Sequence, residues 1–199
     1  FETEGTVTNS ERRVQRVRKA LDPPGNAKDD IWVITELARR LLEDPEVFVL
    51  ITGVSSEKPD AQFICTRLGS RRALDLTGQT TMKELLHLFD LAHVLVTSDS
   101  GPAHFAALTR IHVVVFFGPE IPGRYRPLTT RVDVVHSGYS CSPCIGPHNQ
   151  RLSPCNDNQC MKSISVEDAL VVVRARLEAA WSSTVGMRPG TGGSPAPLP

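Results

Sequence analysis

Four cysteines near the end of the chain have a spacing that allows metal binding or disulfide formation. Cys141 and Cys144 form a C-x2-C pair, Cys155 and Cys160 form a C-x4-C pair, and ten residues separate the pairs. Four thiolates in two close pairs can close a tetrahedral structural zinc site, with no open position for catalysis. Two local disulfides or four reduced structural thiols are the alternatives.

Two further residues bear on this cysteine cluster. His148 lies between the two pairs and is a substitute ligand for a metal. Cys65 lies far away in the sequence, and we expect it to be remote from the cluster and buried. The clustering of four of the five cysteines within twenty residues therefore predicts a local site rather than a disulfide framework across the fold.

The turn at residues 98–101 is a candidate anion site. An apolar segment at 94–97 predicts a buried strand, and Pro102 predicts the start of a helix, because proline is favoured at the first helical position. Ser100 or Gly101 can cap this helix, and Gly101 lets a ligand approach the backbone closely. A helix N-terminus after a buried strand is where open α/β sheets bind phosphate. A βα turn without a ligand is the alternative.

Two side chains beside this turn are open to more than one interpretation. Asp99 is an anion, so it is expected to accept a ligand hydroxyl or to order the turn rather than to bind phosphate through its side chain. His104, one turn into the helix, either packs or caps locally or contacts the ligand.

The apolar pattern predicts an alternation of strands and helices. The short apolar runs that predict buried strands are residues 47–54, 94–97 and 113–117. The segments with helical spacing are residues 34–42, 82–92, 102–108 and 166–181. Thr81 with Glu84, and Ser165 with Asp168, form capping boxes at helix starts. This order predicts an α/β fold, a Rossmann-like parallel sheet with helices on both faces.

Both ends of the chain are predicted to lie outside this domain, which spans residues 25–181 and includes a Cys-rich segment at 141–160. In the charged segment 1–24, residues 10–21 have one apolar and one basic helical face. This favours a solvated helix, with docking to an anionic lipid or partner as the alternative. Residues 182–199 are rich in Gly and Pro and predict a disordered tail.

Composition excludes several classes of protein. The 199 residues carry 22 basic and 22 acidic side chains, so no net basic field attracts nucleic acid. The longest apolar runs are about five residues, well below the roughly 20 that a membrane-spanning helix needs. The chain begins at Phe1 without a signal-peptide pattern, and the missing initiator Met indicates a fragment of a longer protein.

Several motifs occur in a fixed order along the chain. They are D-L-T-G-Q-T-T-M-K-E-L-L at 75–86, D-S-G-P-A-H-F-A-A-L at 99–108, V-V-F-F-G-P-E at 114–120, and the cysteine motifs at 141–164. Together they resemble glycosyltransferase family 9, which includes the heptosyltransferases of lipopolysaccharide core assembly. The resemblance implies one half of a GT-B glycosyltransferase, namely the C-terminal half that binds a nucleotide-diphospho-sugar donor.

The resemblance also implies roles for individual residues. Those that it assigns to the donor diphosphate are Asp99, Ser100, Gly101 and His104. Those that it assigns to the nucleoside are Gly53, Glu57, Thr80, Thr81 and Met82. An exposed loop position for Glu57, and core or capping duty for residues 80–82, are the alternatives.

One stretch departs from the family pattern. Related sequences carry a basic residue just before Trp-Pro ahead of the first helix, where it helps to neutralise phosphate. Here Trp32 is followed by Val33, and Lys28 lies further upstream. Lys28 is therefore a phosphate candidate that fits the pattern only in part.

The activity implied by the resemblance is inverting sugar transfer. An acceptor hydroxyl attacks the anomeric carbon of the donor, while the helix N-terminus stabilises the departing diphosphate. The acceptor site and the catalytic base belong to the missing N-terminal half, so no catalytic residue is assigned in this chain. No cofactor is required for catalysis, and zinc is structural if it is present.

The resemblance names partners only at the level of the family. ADP-heptose is the donor expected there, and the acceptor is a glycan or a lipid-linked sugar. The implied location is cytoplasmic, with peripheral attachment at the inner face of the inner membrane as a further alternative. Two other functions stay open, a non-catalytic nucleotide-binding module and a zinc-stabilised interaction domain.

Overall fold

The structure, a computed structural model, describes residues 5–8, 14–17, 30–146, 155 and 157–185. The strands are β1 (Gly5–Thr8), β2 (Val14–Val17), β3 (Val49–Ile51), β4 (Ala73–Asp75), β5 (Val94–Ser98), β6 (His112–Phe117) and β7 (Val132–His136). The helices are α1 (Asp30–Leu41), α2 (Lys58–Leu68), α3 (Met82–Leu91), α4 (Gly101–Ala106), α5 (Pro122–Tyr125), α6 (Gln159–Lys162) and α7 (Val166–Val185). A 3-10 turn at Ser55–Glu57 leads into α2.

Strands β3 to β7 are parallel, as predicted, but they form two sheets rather than the single sheet that the sequence predicts. β3 pairs with β4, which places Leu50 opposite Leu74. β6 lies between β5 and β7, and Val96 on β5 lies opposite Val114 on β6. Val49 of β3 packs into the same apolar cluster as Val96, so the two sheets are neighbours. Within each sheet the parallel strands end at one edge, where the loops that follow them gather.

Helices cover β6 on both of its faces because successive side chains of a strand point to opposite sides. Val114 belongs to a cluster formed with α1 and α7, whereas Val113 and Val115 belong to a second cluster formed with α3 and α4. Val113, Val114, Val115 and Phe117 are all fully buried. The predicted Rossmann-like α/β fold with helices on both faces is therefore confirmed for this sheet.

Both predicted capping boxes are present. Thr81 accepts a hydrogen bond from the Glu84 backbone N–H, and the Glu84 carboxylate accepts one from the Thr81 N–H at 2.8 Å. Ser165 and Asp168 make the same reciprocal pair at the start of α7. These bonds satisfy N–H groups that have no partner inside the helix.

The N-terminal helix prediction is wrong for residues 14–17, which form β2. This strand pairs antiparallel with β1, so Val14 lies opposite Thr8 and Val17 opposite Gly5. Both strands contain β-branched residues, which favour extended backbone, and each strand supplies the hydrogen-bond partner that the other needs. The helical pattern of one segment gave no information about its partner strand.

Other boundaries differ from the sequence prediction in smaller ways. β3 spans only Val49–Ile51 of the predicted 47–54, and α7 extends to Val185, so residues 182–185 are helical although they were predicted to belong to the tail. The elements that were not predicted are β1, β4, β7, α2, α5 and α6. Residues 186–199 lie outside the described part of the chain.

In the part that is described, no helix is both long and apolar enough to span a membrane.

Candidate functional site

The turn between β5 and α4 has the geometry that the sequence predicts. β5 ends at Ser98, α4 begins at Gly101, and Pro102 lies in its first turn. Ser100 is the N-cap residue and has extended backbone angles, with φ −152° and ψ 174°. The turn therefore lies at the carboxyl end of a parallel strand, which is the edge expected for an anion-binding turn.

The Ser100 hydroxyl is bonded to the strand rather than to the helix. It donates to the Ser98 carbonyl at 3.2 Å and lies 3.4 Å from Thr97 Oγ1, and it makes no capping bond to α4. The Asp99 N–H donates to the Phe116 carbonyl of β6 at 3.2 Å. Hydrogen bonds to β5 and β6 thus hold the turn, and the Ser100 hydroxyl does not cap α4.

The surrounding protein leaves room for a side chain at Gly101. A Cβ placed there would lie 3.4 Å from the Phe105 ring, which is an ordinary contact, and its φ is not positive. Glycine is therefore not required at this position by the fold itself. A larger residue would occupy space at the start of α4 without straining the backbone.

Asp99 and His104 are brought together at this turn. The His104 Nε2 lies 3.8 Å from Asp99 Oδ1, so the two form an ion pair when the imidazole is protonated. The Asp99 side chain is 20% exposed and the His104 side chain 48%. His104 thus faces solvent beside the turn and is accessible to a ligand, as the contact interpretation requires.

Gly53 and Glu57 also lie together, in the loop after β3. The Glu57 carboxylate accepts a hydrogen bond from the Val54 N–H at 2.8 Å. A Cβ at Gly53 would overlap this carboxylate. The absence of a side chain at Gly53 therefore allows Glu57 to fold back over the end of β3, where it remains exposed.

The loop after β4 packs directly on this loop, which the sequence did not predict. Gly78 has a φ of +69°, and a Cβ there would lie 2.6 Å from Ser55 Oγ and 2.9 Å from Ser55 Cα. The Gly78 N–H donates to the Gly53 carbonyl at 2.9 Å. Only glycine fits both the backbone angle and the contact.

Asp75 and Lys58 add a charged pair at the same place. The Asp75 carboxylate accepts from the Thr77 N–H at 2.8 Å and lies 4.0 Å from Lys58 Nζ. The hydrogen bond from the Thr77 backbone N–H, helped by the Lys58 charge, holds the pKa of Asp75 below its usual value. These residues were missed, although the D-L-T-G motif directly after an apolar pair could have indicated them.

The residues predicted beside the base lie at the start of α3. Thr81 is occupied as the N-cap of the helix, and its N–H and hydroxyl lower the pKa of Glu84. Met82 is 51% exposed and Thr80 is half-buried. The capping interpretation of Thr81 is thus correct, and Met82 offers an exposed apolar side chain.

One cysteine of each pair, Cys144 or Cys160, packs against the bend that follows β6. The backbone N–H of Cys144 donates to the Pro119 carbonyl at 2.9 Å, and the Ser142 hydroxyl donates to the Gly118 carbonyl at 2.6 Å. A Cβ at Gly118 would lie 3.5 Å from the Cys160 sulfur. Cys144 reaches the bend from the loop after β7, and Cys160 reaches it from α6.

The four thiols differ in exposure. Cys141 and Cys155 are exposed, Cys144 is half-buried, Cys160 is buried, and all four are free thiols. Burial is the main cause that raises the pKa of Cys160, a backbone hydrogen bond from Met161 lowers it, and the charges of the other three cysteines raise it further. Among the described residues, no three His, Cys, Asp or Glu side chains are arranged to hold a metal ion.

Three other predicted residues have separate outcomes. Cys65 lies in α2 and is half-buried rather than buried, because the helix turns its thiol towards the Ala73 carbonyl at 3.9 Å, near the sheet edge. Burial raises the pKa of this thiol, with a smaller contribution from Asp75. Lys28 and His148 lie outside the described residues, so their proposed roles stay predictions.

The parallel sheets and the glycine-containing loops at their carboxyl ends define a Rossmann-like α/β protein. Residues 28–153 match the family model of glycosyltransferase family 9 (heptosyltransferase). This range contains all strands of both parallel sheets. The chain therefore belongs to glycosyltransferase family 9, and the resemblance carried by the sequence motifs is confirmed.

Several named proteins are similar to part of this chain. The lipooligosaccharide heptosyltransferase 2 of Campylobacter jejuni serotype O:2 is 29% identical over 97 residues, which are 48% of this chain and 29% of that protein. The structure of E. coli ADP-heptose LPS heptosyltransferase II superimposes with a TM-score of 0.63 at 22% identity, over 79% of this chain and 44% of that one. The chain thus spans less than half the length of these relatives.

The first part of the chain is similar to a different family. Residues 1–40 match the family model of molybdopterin oxidoreductase. The alpha subunit of F420-dependent formate dehydrogenase 2 from Methanococcus maripaludis is 55% identical over 40 residues. These residues are 20% of this chain and 6% of that protein. The two family matches overlap at residues 28–40. The sequence patterns considered above did not indicate this second similarity.

Proposed function

We propose that the chain is the donor-binding half of a heptosyltransferase-type glycosyltransferase. The observation that carries the proposal is the family match over residues 28–153, because this range contains both groups of loops at the carboxyl ends of the parallel strands. The bound molecule is a nucleotide-diphospho-sugar. ADP-heptose is the first choice, since a solved relative is described as an ADP-heptose enzyme.

The loops after β3 and β4 bind the nucleoside. The Glu57 carboxylate is already oriented by the Val54 N–H, and a carboxylate in this position can accept hydrogen bonds from ribose hydroxyls. Gly53 and Gly78 bring the two loop backbones close together. Met82 supplies an exposed apolar side chain for the base.

The turn after β5 binds the diphosphate. Its support is the start of α4, where the Ser100 hydroxyl makes no capping bond, together with the half-exposed His104, whose Nε2 lies beside the turn at 3.8 Å from Asp99. The same groups stabilise the diphosphate as it leaves, once an acceptor hydroxyl attacks the anomeric carbon with inversion. The base for that attack and the acceptor site belong to the other GT-B half.

The acceptor and the location follow from the same relatives. Their names describe lipooligosaccharide and lipopolysaccharide heptosyltransferases. We therefore assign to the whole enzyme a lipid-anchored glycan acceptor, and a place at the inner face of the membrane that carries it. The 199-residue chain alone should bind the donor without transferring sugar.

Substitution of Gly101 tests the diphosphate site. Gly101→Val should weaken binding of ADP, measured by calorimetry with the 199-residue chain, by at least tenfold, because the new side chain fills the space at the start of α4. Ser100→Ala should cost about 0.5–1.5 kcal/mol, since a single neutral hydrogen bond is at stake. UDP titrated in parallel tests the preference for the base.

Gly123→Val is the matched control. Gly123 lies in the first turn of α5, where a Cβ would have nothing within 4 Å, so the same substitution fills space at the next βα turn. Circular dichroism should show that all three variants fold. If Gly101→Val folds and binds ADP as tightly as the parent, the diphosphate does not occupy this turn.

A further inference from the structure

Strands β3 and β5 each pair with another strand on one side only. β3 pairs with β4, β5 pairs with β6, and no other described strand is hydrogen-bonded to either of them. Val49 of β3 nevertheless packs into the same apolar cluster as Val94 and Val96 of β5. The two strands therefore contribute to one core without bonding to each other.

The backbone hydrogen bonds show which residues turn towards the unpaired sides. The Asp99 N–H donates to the Phe116 carbonyl of β6 at 3.2 Å, and the Val49 N–H donates at 2.8 Å to the carbonyl just before β4. Successive residues of a parallel strand bond alternately to one side and to the other. Val96 therefore directs its backbone N–H and C=O away from β6, and Leu50 directs these groups away from β4.

The strand order indicates what belongs beside these two strands. In the classic Rossmann order 3-2-1-4-5-6, the first strand lies between the second and the fourth. The described orders β4-β3 and β5-β6-β7 match the two sides of that position, and no described strand lies between them. The segment before α1, where a first strand would precede its helix, contains β1 and β2, which pair with each other.

The sequence before α1 is unsuited to a central strand. β2 contains Gln15 and Arg16, and residues 18–29 contain Pro23 and Pro24 and no apolar run longer than two residues. A strand that is covered on both faces is apolar throughout, and proline cannot donate to its hydrogen-bond ladder. We therefore expect the strand between β3 and β5 to come from another polypeptide.

Charge distinguishes these two strands from the outer ones. Proteins protect the exposed edges of sheets with charged side chains. The outer strands β4 and β7 carry Asp75 and Asp133, whereas β3 (V-L-I) and β5 (V-L-V-T-S) carry no charge. The composition of β3 and β5 is thus typical of strands that have a neighbour on both sides.

We propose that β3 and β5 together bind one extended apolar segment of a separate polypeptide, which completes a single parallel sheet. The backbone of this segment bonds to Leu50 and Val96. Its side chains alternate between the cluster with α1 and α7 and the cluster with α3 and α4, as those of β5 do. The segment is therefore apolar on both faces, and its main-chain bonds supply affinity. Pairing does not involve the nucleotide, so this proposal can fail while the proposed function stands.

A synthetic peptide tests this pairing on the full 199-residue chain. The probe is K-K-V-I-V-I-V-K-K, and the control peptide K-K-V-P-V-P-V-K-K lacks two of its backbone donors. Hydrogen exchange followed by NMR should show that the probe slows exchange of the Leu50 and Val96 amides by at least about tenfold. The Val134 amide, on the outer side of β7, should exchange at an unchanged rate. The control peptide should slow none of these amides.

Val96→Pro removes one backbone donor that faces the added strand and leaves the bonds between β5 and β6 intact. It should weaken binding of the fluorescently labelled probe, measured by anisotropy, by more than about tenfold. Val134→Pro is the matched control and should bind the probe as tightly as the parent. Val134 also directs its N–H away from β6, because the Val113 N–H donates to the Arg131 carbonyl and Val134 lies three residues further along.

Three results would overturn the proposal. The first is that the Leu50 and Val96 amides are already protected in the chain alone, because the chain or a second copy of it would then supply the neighbouring strand. The second is that the probe does not bind, or binds without slowing exchange of these amides. The third is that the probe and the proline-containing peptide bind equally well, a comparison that remains decisive if Val96→Pro does not fold.

Discussion

The two parallel sheets differ in how completely their side chains are buried. In the three-stranded sheet, Val113, Val114 and Val115 of β6 have no exposed surface. In the two-stranded sheet, Leu50 and Leu74 lie opposite each other and are 37% and 45% exposed. The turn proposed for the diphosphate thus stands on a closed core, whereas the loops proposed for the nucleoside stand on a half-covered sheet.

The two sheets also differ in how an arginine attaches them to a helix. Arg72, just before β4, donates to the carbonyls of Leu42, Asp44 and Val47, which follow the end of α1, at 2.8, 2.6 and 2.8 Å. Arg176 of α7 instead binds the carboxylate of Asp133 on β7. One attachment has neutral acceptors and the other a titratable one, so the sheets should respond differently to mutation and to pH.

Truncation of Phe117 should have the largest effect on stability. Phe117 is fully buried at the end of β6, so Phe117→Ala should lower the free energy of unfolding by about 3–5 kcal/mol, through lost contacts and a residual cavity. Leu50→Ala, in the half-covered sheet, should cost about 1 kcal/mol. Urea denaturation followed by circular dichroism measures both, and Phe117→Leu replaces Phe117→Ala if the latter does not fold. Equal losses for the two positions would contradict the difference in burial.

The difference in burial also explains which elements could be predicted from the sequence. β5, α4 and β6 were predicted because a buried strand is a continuous apolar run and because Pro102 marks the helix start. β4 contains only Ala73, Leu74 and Asp75, and β7 has Asp133 within its apolar run, so neither has the usual pattern. The hydrogen bonds of Arg72 and Arg176 attach these strands to the rest of the fold. Both arginines bind residues that are far away in the sequence.

The candidate site, like the fold, was predictable from the sequence only in part. The turn at Gly101 follows from local spacing, whereas Gly53 and Glu57 were assigned from the family resemblance. The packing of Gly78 on Ser55 does not follow from local spacing, because it depends on β3 and β4 being neighbours. The similarity of residues 1–40 to molybdopterin oxidoreductase was also missed, because no spacing of chemical groups in this segment points to it.

Removal of the Arg72 side chain should have an intermediate effect. Arg72→Met should lower the free energy of unfolding by about 2 kcal/mol, because hydrogen bonds from a charged donor contribute about 1.5–3 kcal/mol and Arg72 is only half-buried. Arg71→Met is the control, since Arg71 is its exposed neighbour. The deficit of Arg72→Met should be the same at neutral and acidic pH, as the acceptors are carbonyls. A loss no larger than that of Arg71→Met would show that these bonds do not hold the sheet.

Loss of the Asp133 charge should have the smallest effect and should depend on pH. Arg176, and then His112 at 2.8 Å, hold the pKa of Asp133 below its usual value, although burial opposes them. A lowered pKa in the folded state stabilises the fold at pH values above about 3.9, the value in the unfolded chain, and this contribution is lost as pH falls through the folded-state pKa. Asp133→Asn should therefore cost about 1 kcal/mol at neutral pH, a modest value because the Arg176 side chain is 41% exposed. Urea denaturation at a series of pH values should show that the stability deficit of Asp133→Asn shrinks in acid, while the deficit of Arg72→Met stays constant. If the deficit of Asp133→Asn does not change with pH, the carboxylate charge is not what attaches α7 to the three-stranded sheet.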